Sequence, residues 1–397
     1  MRHLRNVRPG RGFTTNDHRD SKLLMTRPLA ASVPAAALLL LTLSPLSSAA
    51  DRIWQKTGGR PIVADSIVSD HFDELKYKKG SNELKLSADR VRTIDYGDAP
   101  ESWDLAFDRR DEGDYENAAS LFKAAMAESG VRGWIKLHGA FELAETYRLW
   151  GASDTSKFTD AVKQYDAALS KGAKARIRPE ILFGRARANL GAANLDAGLK
   201  DLDTLVKEAL DNKYGVTWEL RGMHEKAQAL DEAGKASEAK NAYSNLEKSS
   251  RSFAGQDKLS EDERQLAAEM AGLSRLAQGR VLIRDGKATQ AESFFDRIVK
   301  DDKEVSAVRA AALVGKGEAL AGQKKLKEAQ LEFARVRVQY FGAGEAVAEA
   351  TYQLGLLARE LGAAEPKGSK LAQDYFLEVV QKHSDSKWAQ KAQKELN

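Results

Sequence analysis

The side chains best suited to proton or metal chemistry near neutral pH are the six histidines, at positions 3, 18, 71, 138, 224 and 383, and no cysteine accompanies them. No two of them form the HExxH pair that sets two imidazoles on one helix face, so a metal centre is not expected. Gly315-Lys316-Gly317 has the look of a phosphate loop. Such a loop needs GxxxxGK and then Ser or Thr, placed after a strand so that backbone N–H groups surround the phosphates. No strand precedes this segment, and Gly317 falls at a packing position within a helix. The GxSxG turn of a serine hydrolase is also absent. Carboxylates are scattered over faces expected to meet solvent, and no acid–base pair stands out. The chain is therefore expected to work without catalysis, metal or cofactor. Recognition is the chemistry that remains.

The elements that would position recognising side chains announce themselves by spacing. Ala118-Phe122-Ala125, Ala161-Tyr165-Ala168, Ala239-Tyr243-Leu246, Ala291-Phe295-Ile298, Ala329-Phe333-Val336 and Ala372-Phe376-Val379 share one pattern, with a looser copy at Gly198-Leu202-Leu205. Offsets of four and three place all three side chains on one helix face. The small residue admits a neighbouring helix and the large one fills the space beside it. Recurrence at intervals of about forty residues describes stacked helical hairpins. Upstream of the triads stand Gly113, Gly234 and Gly286 as turn residues, and Ala227 with Leu230, Gly279 with Leu282 and Gly317 with Leu320 as small–large pairs.

This order resembles the tetratricopeptide repeat, whose helix A carries a small residue and whose helix B carries the small–large–small triad. The fold expected is mainly α: a TPR-like α-solenoid of about seven helical hairpins over residues 98–397, preceded by a small all-β domain. The usual closing proline is missing, and longer inter-helix turns are expected at 151–157 and 362–369, the latter around Pro366. In such repeats the triads build the rod, and the helix A faces line its inner curve. Alignment on the small helix A residue then implies groove candidates: Trp103 and Phe107; Phe141, Glu145 and Arg148; Phe183 and Arg187; His224 and Gln228; Arg280 and Arg284; Glu318; Tyr352 and Arg359. Arg148, Arg187 and Arg280 are expected to be exposed. Aromatic and Arg side chains dominate binding energy at interfaces. The Lys/Asn pattern that grips a free C-terminal carboxylate in some members is missing, so an extended segment is the expected ligand.

Residues 1–50 read as a leader. Arg27 precedes an apolar run over 29–43, followed by Pro45 and Ser47-Ser48-Ala49-Ala50. That is the order of a secretory signal peptide starting near Met25 and cut after Ala50. The run is too short for the roughly 20 residues that span a bilayer. No integral membrane span is then expected after cleavage, and the location expected is periplasmic or secreted. The chain carries +4, of which residues 1–50 hold +5, so residues 51–397 stand at −1. Without a basic surface there, nucleic acid is not an expected partner. Without cysteine, stability must come from packing and not from disulfides.

Residues 51–97 alternate over short stretches, as in Leu75-Lys76-Tyr77 and Leu84-Lys85-Leu86, with turn residues between them. Five strands in a small barrel, loosely similar to the SH3 or Sm type, are expected. Capping boxes are expected at Asp98/Glu101 and Ser260/Glu263, and a hinge at 249–260. The function expected is an exported scaffold or adaptor for protein or extended-peptide partners, in cell-envelope assembly if the source is bacterial. The alternatives are an accessory subunit of an envelope enzyme and a polysaccharide- or cell-wall-binding protein using Trp54, Trp103, Trp134 and Trp150.

Overall fold

The computed structural model describes residues 49–212, 214–362 and 366–396. The apolar run of the leader lies outside the described residues. Six short strands come first: β1 (Asp51–Gln55), β2 (Ile62–Ala64), β3 (Ser66–Asp70), β4 (Glu74–Lys79), β5 (Asn82–Ser87) and β6 (Val91–Asp95). They form two antiparallel sheets, ordered β2-β1-β6 and β3-β4-β5. The sheets share one core of Ile53, Ala64, Leu75, Tyr77, Leu86, Val91 and Ile94. Alternation works as expected in β4, where Leu75 and Tyr77 are buried and the intervening lysine is not. The small barrel is corrected, because among the described residues no ladder joins the two sheets and both keep open edges. A bulge between Ile67 and Ser69 leaves Val68 outside the β3–β4 ladder.

Fifteen helices follow among the described residues. Seven A/B hairpins pair α1 (Glu101–Asp111) with α2 (Tyr115–Ala127), α3 (Gly133–Trp150) with α4 (Lys157–Lys171), and α5 (Arg178–Gly191) with α6 (Leu195–Asp211). The next are α7 (Val216–Glu232) with α8 (Ala236–Ala254), and α9 (Glu261–Arg284) with α10 (Ala288–Val299). The last are α11 (Ser306–Gly322) with α12 (Leu326–Gln339), and α13 (Gly344–Leu361) with α14 (Pro366–Lys382). A final helix, α15 (Lys387–Leu396), lays Trp388, Ala389 and Ala392 over the last hairpin. The chain is a TPR-like α-solenoid behind a small antiparallel β region.

Every triad lies on a B helix, and all of its members are buried. The packing is specific. The Phe295 ring sits against both Gly279 of its own A helix and Gly315 of the next, and Phe333 and Phe376 sit in the same way on Gly317 and Gly355. Each aromatic wedge thus enters a notch that only a missing Cβ provides. Gly315-Lys316-Gly317 is part of this packing within α11, with Lys316 Nζ held by Asp296 at 2.9 Å and Glu332 at 3.0 Å. Between the helices of a hairpin, Gly113, Gly234 and Gly286 take positive φ, and Ala193 and Lys324 take the same conformation in their own units.

Three local expectations change. Ser260 and Glu263 do form a full capping box on α9. Asp98 and Glu101 do not: Pro100 stands at the N-cap of α1, and Asp98 Oδ1 accepts from the Ala49 N–H at 2.6 Å. No hinge opens at 249–260, because residues 249–254 are the last turns of α8 and only a short connection remains before α9. The wide triad interval there reflects two long helices packed side by side. The turn after α3 is long as expected, whereas α14 already starts at Pro366. Among the described residues, no helix is long and apolar enough to cross a membrane.

Candidate functional site

Successive A helices approach one another along the stack, α3 with α5, α5 with α7, and so on through α9, α11 and α13. The A layer is therefore the inner one, and the candidates from sequence fall on it with different fates. Trp103 and Phe107 are packing residues: Trp103 meets Phe107, Phe122 and Trp134 edge-on at 5.2–5.5 Å. Phe141 packs in the same cluster beside Tyr165. Glu145 accepts from the Tyr165 hydroxyl and from Arg148, whose Nη2 is 2.6 Å away. The Arg148 side chain is only 14% exposed, so the expectation that it stands free is corrected.

Tyr352 is buried against Phe376 and Trp388, and its hydroxyl donates to Glu395, which also holds Arg359. Arg280 reaches Glu349 at 2.9 Å and Glu318 at 3.7 Å, bridging α9 to α13 past α11, and Gln353 also donates to Glu318. It is not available as a free cation either. Burial raises the Glu318 carboxyl, with the Arg280 charge opposing it. Arg284 is exposed and held at one side by Asp231.

What remains open lies on α5 and α7. Arg187 is about half exposed, with Glu225 at 3.2 Å. Gln228 is exposed, and His224 is half-buried with its ring pKa lowered by burial. Phe183 meets Trp218 edge-on at 6.0 Å, and Arg221, which sequence reasoning passed over, is exposed and lies over the Trp218 ring at 5.3 Å. The signal was present in Trp218 and Arg221, three apart on one helix face. The four tryptophans considered for sugar stacking make no common platform. Trp54 is bonded to Asp95 under Arg92, Trp134 is stacked on Tyr96, and Trp150 lies between Tyr147 and Lys157.

A second concavity was invisible in sequence. A cleft of about 610 Å³ opens where β3 and Tyr96 meet the first turns of α3 and the connection 171–177 before α5. The β region is fastened around it. Asp51, fully buried, accepts from the Ile67 and Gly97 N–H groups at 2.7 Å and from Arg132 at 2.5–2.7 Å. That hydrogen bond to Asp51 raises the Arg132 pKa. Asp70 takes a two-pronged bond from Arg176 and another from the Tyr96 hydroxyl. Past the end of β3 the chain pairs with the connection before α5: Phe72 N–H donates to Lys174 O at 3.0 Å, and Arg176 N–H to Asp70 O at 3.1 Å. His138 faces this cluster beside Tyr96 and Trp134, and burial drops its pKa to about 4. It is neutral at pH 7, not a cation. Among the described residues, no three His, Asp or Glu side chains are grouped to hold a metal ion.

No protein-family model and no curated protein matches the chain. Several solved structures are similar to it at low identity. RapI in its apo form is 10% identical with a TM-score of 0.45, over 74% of this chain and 79% of that one. The quorum sensor NprR from B. thuringiensis is 11% identical with a TM-score of 0.40, over 74% and 85%. A tetratricopeptide repeat protein from Parabacteroides merdae is 17% identical with a TM-score of 0.32, over 60% and 91%. All three scores lie below 0.5, and both fold and partner rest on this chain's own residues.

Proposed function

We propose that this chain is a non-catalytic scaffold that holds an extended segment of a partner protein along the inner face of its middle hairpins. The observation that carries the reading is the α5–α7 face, where exposed Arg187 lies over Phe183 and exposed Arg221 over Trp218, the two rings meeting edge-on. Rigid aromatic surface beside cations with spare donors is the composition of an interface hot spot. Elsewhere on the inner layer Arg148 and Arg280 are largely covered as well as paired, and serve the rod itself. The test is capture of the native partner by Arg187→Gln combined with Arg221→Gln. Capture should fall more than tenfold with the helical circular dichroism unchanged. Undiminished capture would move the partner to the convex side or to the β region.

The setting we propose is outside the cytoplasm, in or beyond the cell envelope. The order Arg27, apolar run, Ser48-Ala49-Ala50 supports it. A cut after Ala50 would leave Asp51 as the first residue, with its carboxylate held by Arg132. N-terminal sequencing from the native compartment should start at Asp51; an intact leader in a membrane fraction would replace cleavage by anchoring.

A further inference from the structure

We propose that the cleft between the β region and the second hairpin is a separate binding site for an acidic peptide in extended conformation, seated against the edge of β3. Three observations converge on this ligand. The first is charge. Lys136, Lys171 and Lys174 line the cleft, are exposed, and have no ion-pair partner among the described residues. Asp70 is the one carboxylate among the lining residues, and Arg176 already neutralises it. Most other cations near the inner layer are matched by a carboxylate, so three unmatched ones at one concavity set it apart.

The second is hydrogen-bonding capacity. The Trp134 indole N–H and the Ser69 hydroxyl belong to the cleft wall and have no partner among the described residues. An unbonded buried donor costs about 1–3 kcal/mol, and since both atoms lie just beneath the cleft surface, an oxygen-rich ligand satisfies them only by displacing the side chains that cover them.

The third is the wall itself. β3 is an edge strand, bonded along one side to β4. Just beyond Asp70 its other side is used, by the pairing of His71 with Ala175. Ahead of that point the Ile67 N–H is already held by Asp51, and the edge open to the cleft is the bulge at Val68, which is 46% exposed. An exposed edge accepts an extended chain as one more strand, with main-chain bonds giving affinity and alternate side chains giving selection. Apolar Ile67, Val68, Leu137 and Ile177 interspersed with the lysines suit a segment that alternates apolar and acidic residues. Sugar stacking is disfavoured, because the Trp134 ring is already covered by Tyr96 at 4.7 Å.

The test is fluorescence anisotropy of the full chain with a fluorescein-labelled Glu-Val-Glu-Val-Glu-Val peptide and its Gln-for-Glu counterpart. The acidic peptide should bind at least tenfold more tightly, and added salt should weaken it. Lys136→Gln, Lys171→Gln and Lys174→Gln together, all exposed and unpaired, should erase that preference with circular dichroism unchanged. A peptide N-methylated at alternate residues should also lose binding. The pair Arg187→Gln and Arg221→Gln should leave binding intact, which separates this site from the α5–α7 face. Equal affinity for the two peptides, or indifference to the lysine changes, would overturn the proposal. So would retained binding after N-methylation. Full displacement by inorganic phosphate, with no advantage for the peptide, would reduce the site to one for small anions and overturn the strand addition.

Discussion

Arg176 and Asp70 lie 106 positions apart and form a two-pronged ion pair, Nε to Oδ1 at 2.8 Å and Nη2 to Oδ2 at 3.2 Å. Both side chains are largely covered, so removing one leaves the other charged without a partner. Breaking such a pair costs about 3–5 kcal/mol when fully buried, and somewhat less here. Arg176→Ala should therefore loosen the β region while the helices persist. Limited proteolysis should cut between β6 and α1 in the variant and not in the wild type. The double exchange Asp70→Arg with Arg176→Asp should restore part of the protection.

The notch holding Phe295 gives a second expectation. Phe295→Ala should destabilise by about 3–5 kcal/mol. A methyl at Gly315 would overlap the same ring, so Gly315→Ala should cost about 1–3 kcal/mol through overpacking. The two sites share one space. Phe295→Leu with Gly315→Ala should be less destabilised than the sum of the singles. Chemical denaturation of the four proteins decides it, and additivity would mean that the ring does not rest on Gly315.

Ala193 and Lys324 hold positive φ where the other hairpins use glycine. The left-handed conformation costs a non-glycine residue about 1–2 kcal/mol, partly offset by the greater chain entropy that glycine loses. Ala193→Gly and Lys324→Gly should each raise stability slightly, by up to about 1 kcal/mol. A lowered melting temperature for both would show these turns to be unstrained.

His138 and Glu180 give opposed pH dependences. Burial moves the Glu180 carboxyl up to about 7, and one of its oxygens has no hydrogen-bond partner among the described residues. As pH falls from about 7 to 4.5 the folded state gains this proton before the unfolded one does, so stability rises. Burial moves His138 down to about 4. As pH falls from about 6.5 to 4 the unfolded state gains that proton first, so stability is lost. Each effect is worth up to about 3 kcal/mol across its window, and in the wild type the two offset each other. Glu180→Gln should become less stable on acidification relative to wild type, and His138→Gln more stable. Denaturation midpoints at pH 7 and 5 read the difference; parallel curves for all three proteins would refute it.

The rod was legible because its determinants are local. A triad occupies seven residues, and burial of Ala118, Phe122 and Ala125 follows from one helix face. The Ser260 box is equally local. Arg148 and Arg280 misled because pairing is settled by neighbours that spacing does not reveal. Glu349 lies 69 positions beyond Arg280 and comes within reach only through the curvature of the stack. Asp98 was claimed by Ala49 instead of by its own helix. The cleft could not be read at all, since it joins residues near 70, 135 and 174. Only the surplus of lysine at 136, 171 and 174 was on view, and surplus lysine is common.

A coiled rod lengthens under tension by spreading its inner layer. In the C-terminal half the Arg280–Glu349 bond ties helices two hairpins apart, so extension there must rupture that strut first. Between α1 and α7 the inner bonds Arg110–Glu142 and Arg187–Glu225 link only adjacent A helices. The molecule is consequently a spring with a stiff end and a compliant end. Changes in groove width on loading fall on α3, α5 and α7, and the β region holds the entrances of the first two through Arg132 and Arg176.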